Sequence, residues 1–255
     1  MDKDLVSIIT PIYNSAEFVR ETAEGIFSQT HKNWEWMVID DCSTDDSVKI
    51  LEEMAANDDR IVIIKNTENL GPGPTRNRGI QRASGKYLAF VDSDDVWFPE
   101  FLEENLNMVK ERNAGFVYSS VQRWNEDFSI RYDDFIAPET YTYNQLLKTN
   151  SIVCSTAFID AEKYGKLYMP DIRKRQDQAL WLKYLEIIPK AYGIQKPMAK
   201  YRMRTDSVSS NKLSAAKYQF MLYNQHLKFN VFKSAFYTLQ WAYYGYKKYR
   251  NTGRK

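Results

Sequence analysis

The chain has 255 residues, 44% of them hydrophobic, 27% charged and 15% aromatic, with a formal net charge of +2. That length holds one large domain, or one domain with an appendage; the composition is that of a globular protein, and so small a net charge makes no case for nucleic acid as a partner. The two cysteines, Cys42 and Cys154, have no metal-ligand spacing, which suits a reducing compartment with no disulfide framework. The N-terminal MDKDLVSIITPIYN is unlike a signal peptide, because its apolar run is short, follows two aspartates and contains Pro11. No stretch is long and clean enough to span a bilayer, so a cytoplasmic protein is expected.

Residues 5–10 form a β-branched run that reads as a buried strand, ended by Pro11, Ile12, Tyr13 and Asn14. A helix is expected next, with Asn14 as N-cap and Glu17 three residues on. Its apolar face is Phe18, Thr22, Ile26 and Phe27, with Val19 and Ala23 beside it. Residues 34–39 are a second strand ending in Asp40 and Asp41. Ser43 and Thr44 are expected to cap a second helix carrying Val48, Leu51 and Met54. Residues 61–64 are a third strand. A loop over 66–74 carries Gly71-Pro72-Gly73-Pro74, and a helix over about 75–83 follows it.

The fourth strand, residues 87–91, lies between Gly85 and Pro99 and runs straight into Asp92, Asp94 and Asp95. Three carboxylates in one small volume repel, and their pKa values rise unless a cation neutralises them. Oxygen-only ligands suit Mg²⁺ or Mn²⁺. The competing reading is a solvated acidic turn capping the helix that starts near Pro99.

Strand–helix alternation over the first hundred residues predicts a parallel sheet with helices on both faces. Ligands of such sheets bind beyond the carboxyl ends of the strands. Three strand ends would meet there: Pro11 to Asn14, Asp40-Asp41, and Asp92 to Asp95. Together they could hold a nucleoside diphosphate, with Tyr13 stacked on the base, an acid accepting its imide N–H and an ion bridging the phosphates. The chain has no G-x-G-x-x-G and no P-loop, so metal charge must replace those phosphate cradles.

In the second half, residues 115–120 and 153–159 read as strands. Residues 122–142 have little periodicity, as is usual for an acceptor-binding excursion. RKRQDQALWLKYL, residues 173–185, reads as a helix with Leu180, Trp181, Tyr184 and Leu185 on its apolar face. Asp177 sits at its start, where an acid is favourable in any case. Arg202 and Arg204 follow in YRMR, ahead of a Ser-rich turn at 207–210. Either arginine could neutralise a diphosphate, or both could be ordinary surface residues. Residues 215–250 read as one or two helices. Phe229, Phe232, Phe236, Leu239, Tyr243 and Tyr246 recur at spacings of three and four, with Tyr237, Trp241 and Tyr244 alongside. Lys233, Gln240 and Lys247 form a narrow polar stripe, and Lys247, Lys248, Arg250, Arg254 and Lys255 make the end basic. Such a helix either docks on protein or lies on an anionic membrane.

VSIITPIYN, EWMVIDDCSTDDS, NLGPGPTRNRGIQRASGKYLAFVDSDD and RQDQALWLKYL, taken in that order, resemble a family 2 glycosyltransferase over about residues 4–205. Within the family the chain is similar to bacterial polysaccharide or teichuronic-acid-type transferases. The resemblance implies an α/β protein of GT-A fold: a Rossmann-like, mostly parallel sheet flanked by helices, with a C-terminal helical extension. It implies a catalytic domain over 1–210, with a nucleotide-binding half (1–100) and an acceptor-binding half (101–210), and an extension over 211–255. Pro11, Tyr13 and Asn14 then hold the base, Asp41 takes the uracil N3–H, and Arg76 supports base or phosphate. Asp92, Asp94 and Asp95 divide ribose contact and metal ligation, with Asp94 placed on ribose and Asp95 or Asp92 on Mn²⁺ or Mg²⁺. Asp177 stands at the catalytic base, with Gln176 where the family has an acid, and helix-end amides are expected to keep it ionised. Arg202 or Arg204 would face the diphosphate.

The implied reaction moves a sugar, with inversion, from a nucleotide sugar (a UDP-sugar in the first instance) to a hydroxyl of a glycan or lipid-linked acceptor in cell-surface polysaccharide synthesis. The C-terminal helix would touch the inner face of the cytoplasmic membrane. Two rivals remain. A nucleotidyltransferase is disfavoured because no Gly-rich, basic loop follows the first strand. A non-catalytic sugar-nucleotide-binding module is disfavoured by the presence of both the acid cluster and Asp177.

Overall fold

The computed structural model describes residues 4–204 and 212–251. The 207–210 turn and the Arg254-Lys255 end lie outside them. The first half alternates β1 (Val6–Ile12), α1 (Val19–Phe27), β2 (Trp34–Asp40), α2 (Ser47–Ala55), β3 (Ile61–Lys65), α3 (Pro72–Arg82) and β4 (Tyr87–Phe90). Then come β5 (Val96–Trp97), α4 (Phe101–Arg112), β6 (Phe116–Trp124), β7 (Thr140–Tyr141), α5 (Tyr143–Lys148), a 3₁₀ turn (Cys154–Thr156), β8 (Phe158–Asp160) and α6 (Ala161–Tyr164). The series closes with α7 (Gln176–Ile187), β9 (Ala191–Arg202), α8 (Lys212–Met221), a π-helical turn (Leu222–His226) and α9 (Val231–Asn251).

The strands make one sheet in the order β3-β2-β1-β4-β8-β6-β9-β5, with β7 also on β9. The β3-β2-β1-β4 half is parallel. β8 is antiparallel to both β4 and β6 and joins the halves. β9 runs parallel to β6, while β5 and β7 pair with it antiparallel. The sequence therefore reads correctly as an α/β sheet, mostly parallel in its nucleotide half, with helices on both faces.

Successive strand residues go to opposite faces. Ile9, Ile39 and Phe90 pack with Trp181 and Tyr184 of α7 on one side, and Ile8, Val38 and Ala89 pack with Leu102 of α4 on the other. Both faces are covered, which is why these strands are apolar without alternation. Gly79 sets the seat of α3: a Cβ there would lie 2.5 Å from Ile39 Cδ1 and 2.9 Å from Ile9 Cγ2. The missing side chain lets the helix lie directly on β1 and β2, with Arg76 one turn nearer the strand ends.

Several element starts differ from the expectations, for identifiable reasons. Asn14 does not cap α1. Its φ is 48°, and the chain turns through Ser15, whose carbonyl accepts from the Phe18 and Val19 amides at 3.0 and 2.9 Å. Ser43 and Thr44 do not cap α2, which starts at Ser47. Ser43 Oγ accepts from the Asn14 amide (3.0 Å), and the Thr44 amide donates to Asn14 Oδ1 (2.8 Å). These polar residues tie two loops together rather than ending helices. α3 begins at Pro72 rather than near 75, because proline lacks a donor that the first helical turn leaves unpaired anyway. Residues 153–155 belong to a 3₁₀ segment and its approach, leaving a short β8. Residues 121–135 carry two antiparallel bridges, Val121↔Phe135 and Trp124↔Arg131. The C-terminal helix is two helices with a break at 227–230, where Lys228 has φ 57°.

Candidate active site

Parallel pairing brings the ends of β1, β2 and β4 to one edge: Ile12 stands opposite Asp40, and Ile9 opposite Phe90. The segments beyond them are bonded to one another. The Asp41 amide donates to Ile12 O (2.8 Å), and Ser15 Oγ meets Ser93 Oγ at 2.7 Å. Tyr13 projects from this edge, 51% exposed, with Pro11 half-buried behind it.

Asp41 is buried and organises the loop before α3. Its Oδ1 accepts from the Leu70 amide (2.8 Å) and Asn66 Nδ2 (2.7 Å), and its Oδ2 from the Gly71 amide (2.8 Å). The polypeptide itself thus supplies donors to both oxygens. The loop in turn starts α3, whose Arg76 is buried and pairs with Asp92.

The three acids after β4 separate into two kinds. Asp92 and Asp94 are partly open, whereas Asp95 is 1% exposed. Asp95 Oδ2 accepts from Ser155 Oγ, and Oδ1 from the Arg202 amide at 2.9 Å. Ser155 Oγ also accepts from the Asp92 amide at 3.1 Å. Asp95 therefore fixes the loop to the 3₁₀ turn and to β9. No group of three or more His, Cys, Asp or Glu side chains among the described residues is arranged to hold a metal. Both Asp95 oxygens accept from protein donors, whereas Asp92 and Asp94 are the partly open acids. Burial, then Asp92, pushes Asp94 up to about 6, with Arg204 opposing. Burial, then Asp94 and Asp92, holds Asp95 well above the usual carboxylate range.

The two arginines also differ. Arg202 is spent on the protein: Nε donates to Asp94 O (2.8 Å), one terminal nitrogen to Glu126 O and the other to Glu21. Its guanidinium lies between the rings of Phe128 (3.7 Å) and Phe18 (4.6 Å). The Arg202 side of the pair with Glu21 is buried, while Glu21 is half exposed. Arg204 is more open. It lies 3.7 Å from Asp94 Oδ2 and 3.3 Å from Glu126 Oε1.

α7 carries Asp177 in its first turn. Its cap residue, Arg175, has φ 69°, a left-handed conformation unusual for a residue with a Cβ. Two contacts bring this helix start to α3. A Cβ on Gly73 would sit 3.2 Å from Gln176 Cβ, and Asn77 exchanges two 2.8 Å hydrogen bonds with the backbone of Met169. Burial raises the Asp177 carboxyl above its ordinary value. The Gln178 amide, Arg175 and Arg76 pull it down without fully offsetting burial, while Asp92 adds to the rise. Desolvation is thus the larger effect on Asp177, and the Gln178 amide works against it. Cys154, half-buried beside Arg76, Asp92 and Asp177, has its thiol pushed well up by desolvation, so it is a poor nucleophile.

Sequence reasoning missed Ser155, Asn66, Arg175, Glu21 and Phe128. Their parts depend on contacts across the fold, and no local pattern marks them. Asp92, Asp94, Arg76 and Asp177 do come together, with Arg204 beside Asp94 and Tyr13 at the rim.

Comparison with known proteins adds three findings. The family model "Glycosyl transferase family 2" matches residues 7–163. TuaG of Bacillus subtilis (strain 168), provisionally assigned as a teichuronic acid biosynthesis glycosyltransferase, is 39% identical over 96% of this chain and 98% of its own. WfgD of Escherichia coli, a UDP-Glc:α-D-GlcNAc-diphosphoundecaprenol β-1,3-glucosyltransferase, is 34% identical over 98% of this chain and 96% of its own. Among solved structures, S. aureus TarS 1–349 in complex with UDP-GlcNAc shares the fold, with a TM-score of 0.73, 20% identity, and coverage of 93% of this chain and 71% of that one.

Proposed function

The chain belongs to glycosyltransferase family 2, and from that premise we propose that it transfers a sugar from a UDP-sugar to a hydroxyl of a lipid-linked acceptor, inverting the anomeric carbon. One observation carries the reading: the start of α7 that bears Asp177 packs on α3 at Gly73, one turn from the Arg76 that pairs with Asp92, so α3 joins the acceptor-side acid to the donor-side acids. WfgD's donor and acceptor chemistry supports UDP and a lipid-linked diphosphate acceptor here. We take residues 1–210 as the catalytic unit and 211–255 as its extension.

Tyr13, exposed at the rim, stacks on the base, and Pro11 and Asn14 shape the strap beneath it. Asp41, through the 66–71 loop, positions the edge that reads the uracil. Asp177 accepts the proton of the acceptor hydroxyl, and the oxygen attacks the anomeric carbon opposite the departing diphosphate. A base with a raised pKa holds that proton better. Arg204, rather than Arg202, is the arginine left to face the leaving group.

A divalent ion fits the site through two carboxylates, Asp92 and Asp94, rather than three. Burial and then the neighbouring Asp92 raise Asp94, and Mg²⁺ commonly takes one or two carboxylates plus substrate phosphates. When bound, Mg²⁺ or Mn²⁺ would neutralise charge on the diphosphate. Release of UDP from UDP-sugars tests the enzyme reading. UDP should appear with Mn²⁺ present and stop when the ion is chelated. A sugar-nucleotide-binding module would release none in either condition.

We also place α9 on the membrane that carries the acceptor. No described helix is long and apolar enough to cross a bilayer. The outward face of α9, however, shows Phe232 (87% exposed), Leu239 (71%), Phe236, Tyr243 and Tyr246, with exposed Lys228, Lys233 and Lys247 near it. Aromatic rings beside lysines suit the headgroup zone of an anionic leaflet. Vesicles containing phosphatidylglycerol should sediment the protein, and Phe232→Ser with Phe236→Ser should abolish this. Equal sedimentation of parent and variant would return α9 to a purely docking role.

A further inference from the structure

Arg173, Lys174 and Arg175 lie two to four residues before Asp177. Arg173 is exposed and the other two are half-buried. Arg20, Arg60, Arg76, Arg131, Arg202 and Arg204 all pair with carboxylates. The three consecutive cations pair with none among the described residues. Two of them lean on the C-terminal extension instead. Lys174 Nζ lies 5.8 Å from the Tyr218 ring of α8, and the Arg175 guanidinium 4.9 Å from the Trp241 ring of α9. Arg175 Nε is buried with no hydrogen-bond partner, and its backbone is held in the left-handed region. A buried guanidinium N–H without an acceptor is a cost that a ligand oxygen would relieve.

We propose that Arg173, Lys174 and Arg175 form the binding site for the acceptor's diphosphate, the group that joins its sugar to its lipid. The proposal rests on the reading of a lipid-linked acceptor and adds where such an acceptor's charge is held. The order of groups on the protein matches the order on the acceptor. Asp177 meets the reacting hydroxyl. The cations follow within four residues, as the phosphates follow one sugar ring from that hydroxyl. Then comes α9, whose inner side touches Arg175 through Trp241 and whose outer side carries the aromatic stripe, where the lipid tail must enter the membrane. Guanidinium groups match phosphate oxygens in paired hydrogen bonds. A charge-bearing acceptor is thereby distinguished from a neutral sugar at the point where the base must be aimed.

The test uses the full chain saturated with UDP and Mg²⁺, so that the donor's phosphate site is filled, and farnesyl diphosphate as the calorimetric probe, with farnesol as control. The parent should bind the diphosphate more tightly than the alcohol. Arg173→Ala with Lys174→Ala should lower farnesyl diphosphate affinity at least tenfold. Its UDP affinity should stay at the parent value, which also shows that the variant is folded, and so should its sedimentation with phosphatidylglycerol vesicles. Farnesyl diphosphate binding no tighter than farnesol, or equal in parent and variant, overturns the site. So does a variant that keeps the diphosphate and loses the vesicles, since the cations would then serve lipid headgroups. These failures leave UDP binding intact, whereas failure of the parent to bind UDP would sink the donor reading instead.

Discussion

Asp177→Asn should lower turnover by about 10²–10⁴, the usual contribution of a positioned general base, while UDP affinity in the presence of Mn²⁺ stays within about twofold of the parent. Asparagine keeps the size of the side chain and can still accept from the Gln178 amide that supports Asp177, but it cannot take a proton. A role confined to favourable charge at the α7 N-terminus would cost only about 0.3–1 kcal/mol of stability and leave turnover alone. The two roles therefore separate cleanly in steady-state rates, titration calorimetry and melting temperature. The pH profile supplies a further sign. Burial raises the Asp177 carboxyl and brings Asp94 to about 6. Asp177 must be ionised to take the proton, so activity should fall at a pH above the ordinary carboxylate range. In Asp177→Asn the residual rate should keep only the limb due to donor binding.

Asp94→Asn should have the complementary effect. Donor binding should lose its dependence on Mn²⁺, so that UDP titrates with equal, weak affinity with and without EDTA. The folded protein should nevertheless become more stable at neutral pH. The folded-state pKa of Asp94, about 6, exceeds its ordinary 3.8, so the folded chain holds the proton more tightly than the unfolded chain. Stability present at low pH is then lost as pH rises from about 4 to about 6. At pH 7 the ionised group is a net cost, partly eased by Arg204. Relieving it should raise stability by on the order of 1–2 kcal/mol, read as an upward shift in melting temperature. A fall in melting temperature would mean that Asp94, like Asp95, is chiefly a structural acceptor.

The nucleotide half was legible because its signals are local. Residues 5–10, 34–39, 61–64 and 87–91 are apolar runs ending in acids or turn residues, and parallel pairing then carries those ends to one edge whatever the loop detail. Asp177 was singled out by its motif alone, since nothing in its spacing separates a base from a favourable helix-end charge. The illegible parts depend on partners far along the chain. Asn14, Ser43 and Thr44 have capping chemistry, yet their bonds run between loops 29 or 30 residues apart. Asp95 looks the same as Asp94 in sequence. Ser155, 60 residues on, and the Arg202 amide, 107 residues on, make it structural. Arg202 and Arg204 alternate on one strand end, but only Arg202 meets Glu21, the Glu126 carbonyl and two rings. Burial at Asp177 outweighs its helix-end amide, and burial is a property of the packed α3–α7 contact rather than of residues 173–185.

The central claim is a single displacement, with Asp177 on the acceptor side of the cleft and Asp92 and Asp94 on the donor side. The configuration of the transferred sugar tests it most directly. Proton NMR of the product made from an α-linked UDP-sugar should show a β-linked residue as the initial and sole product. An α-linked product would contradict the account, because retention requires a different route from one in which Asp177 activates the acceptor for direct attack.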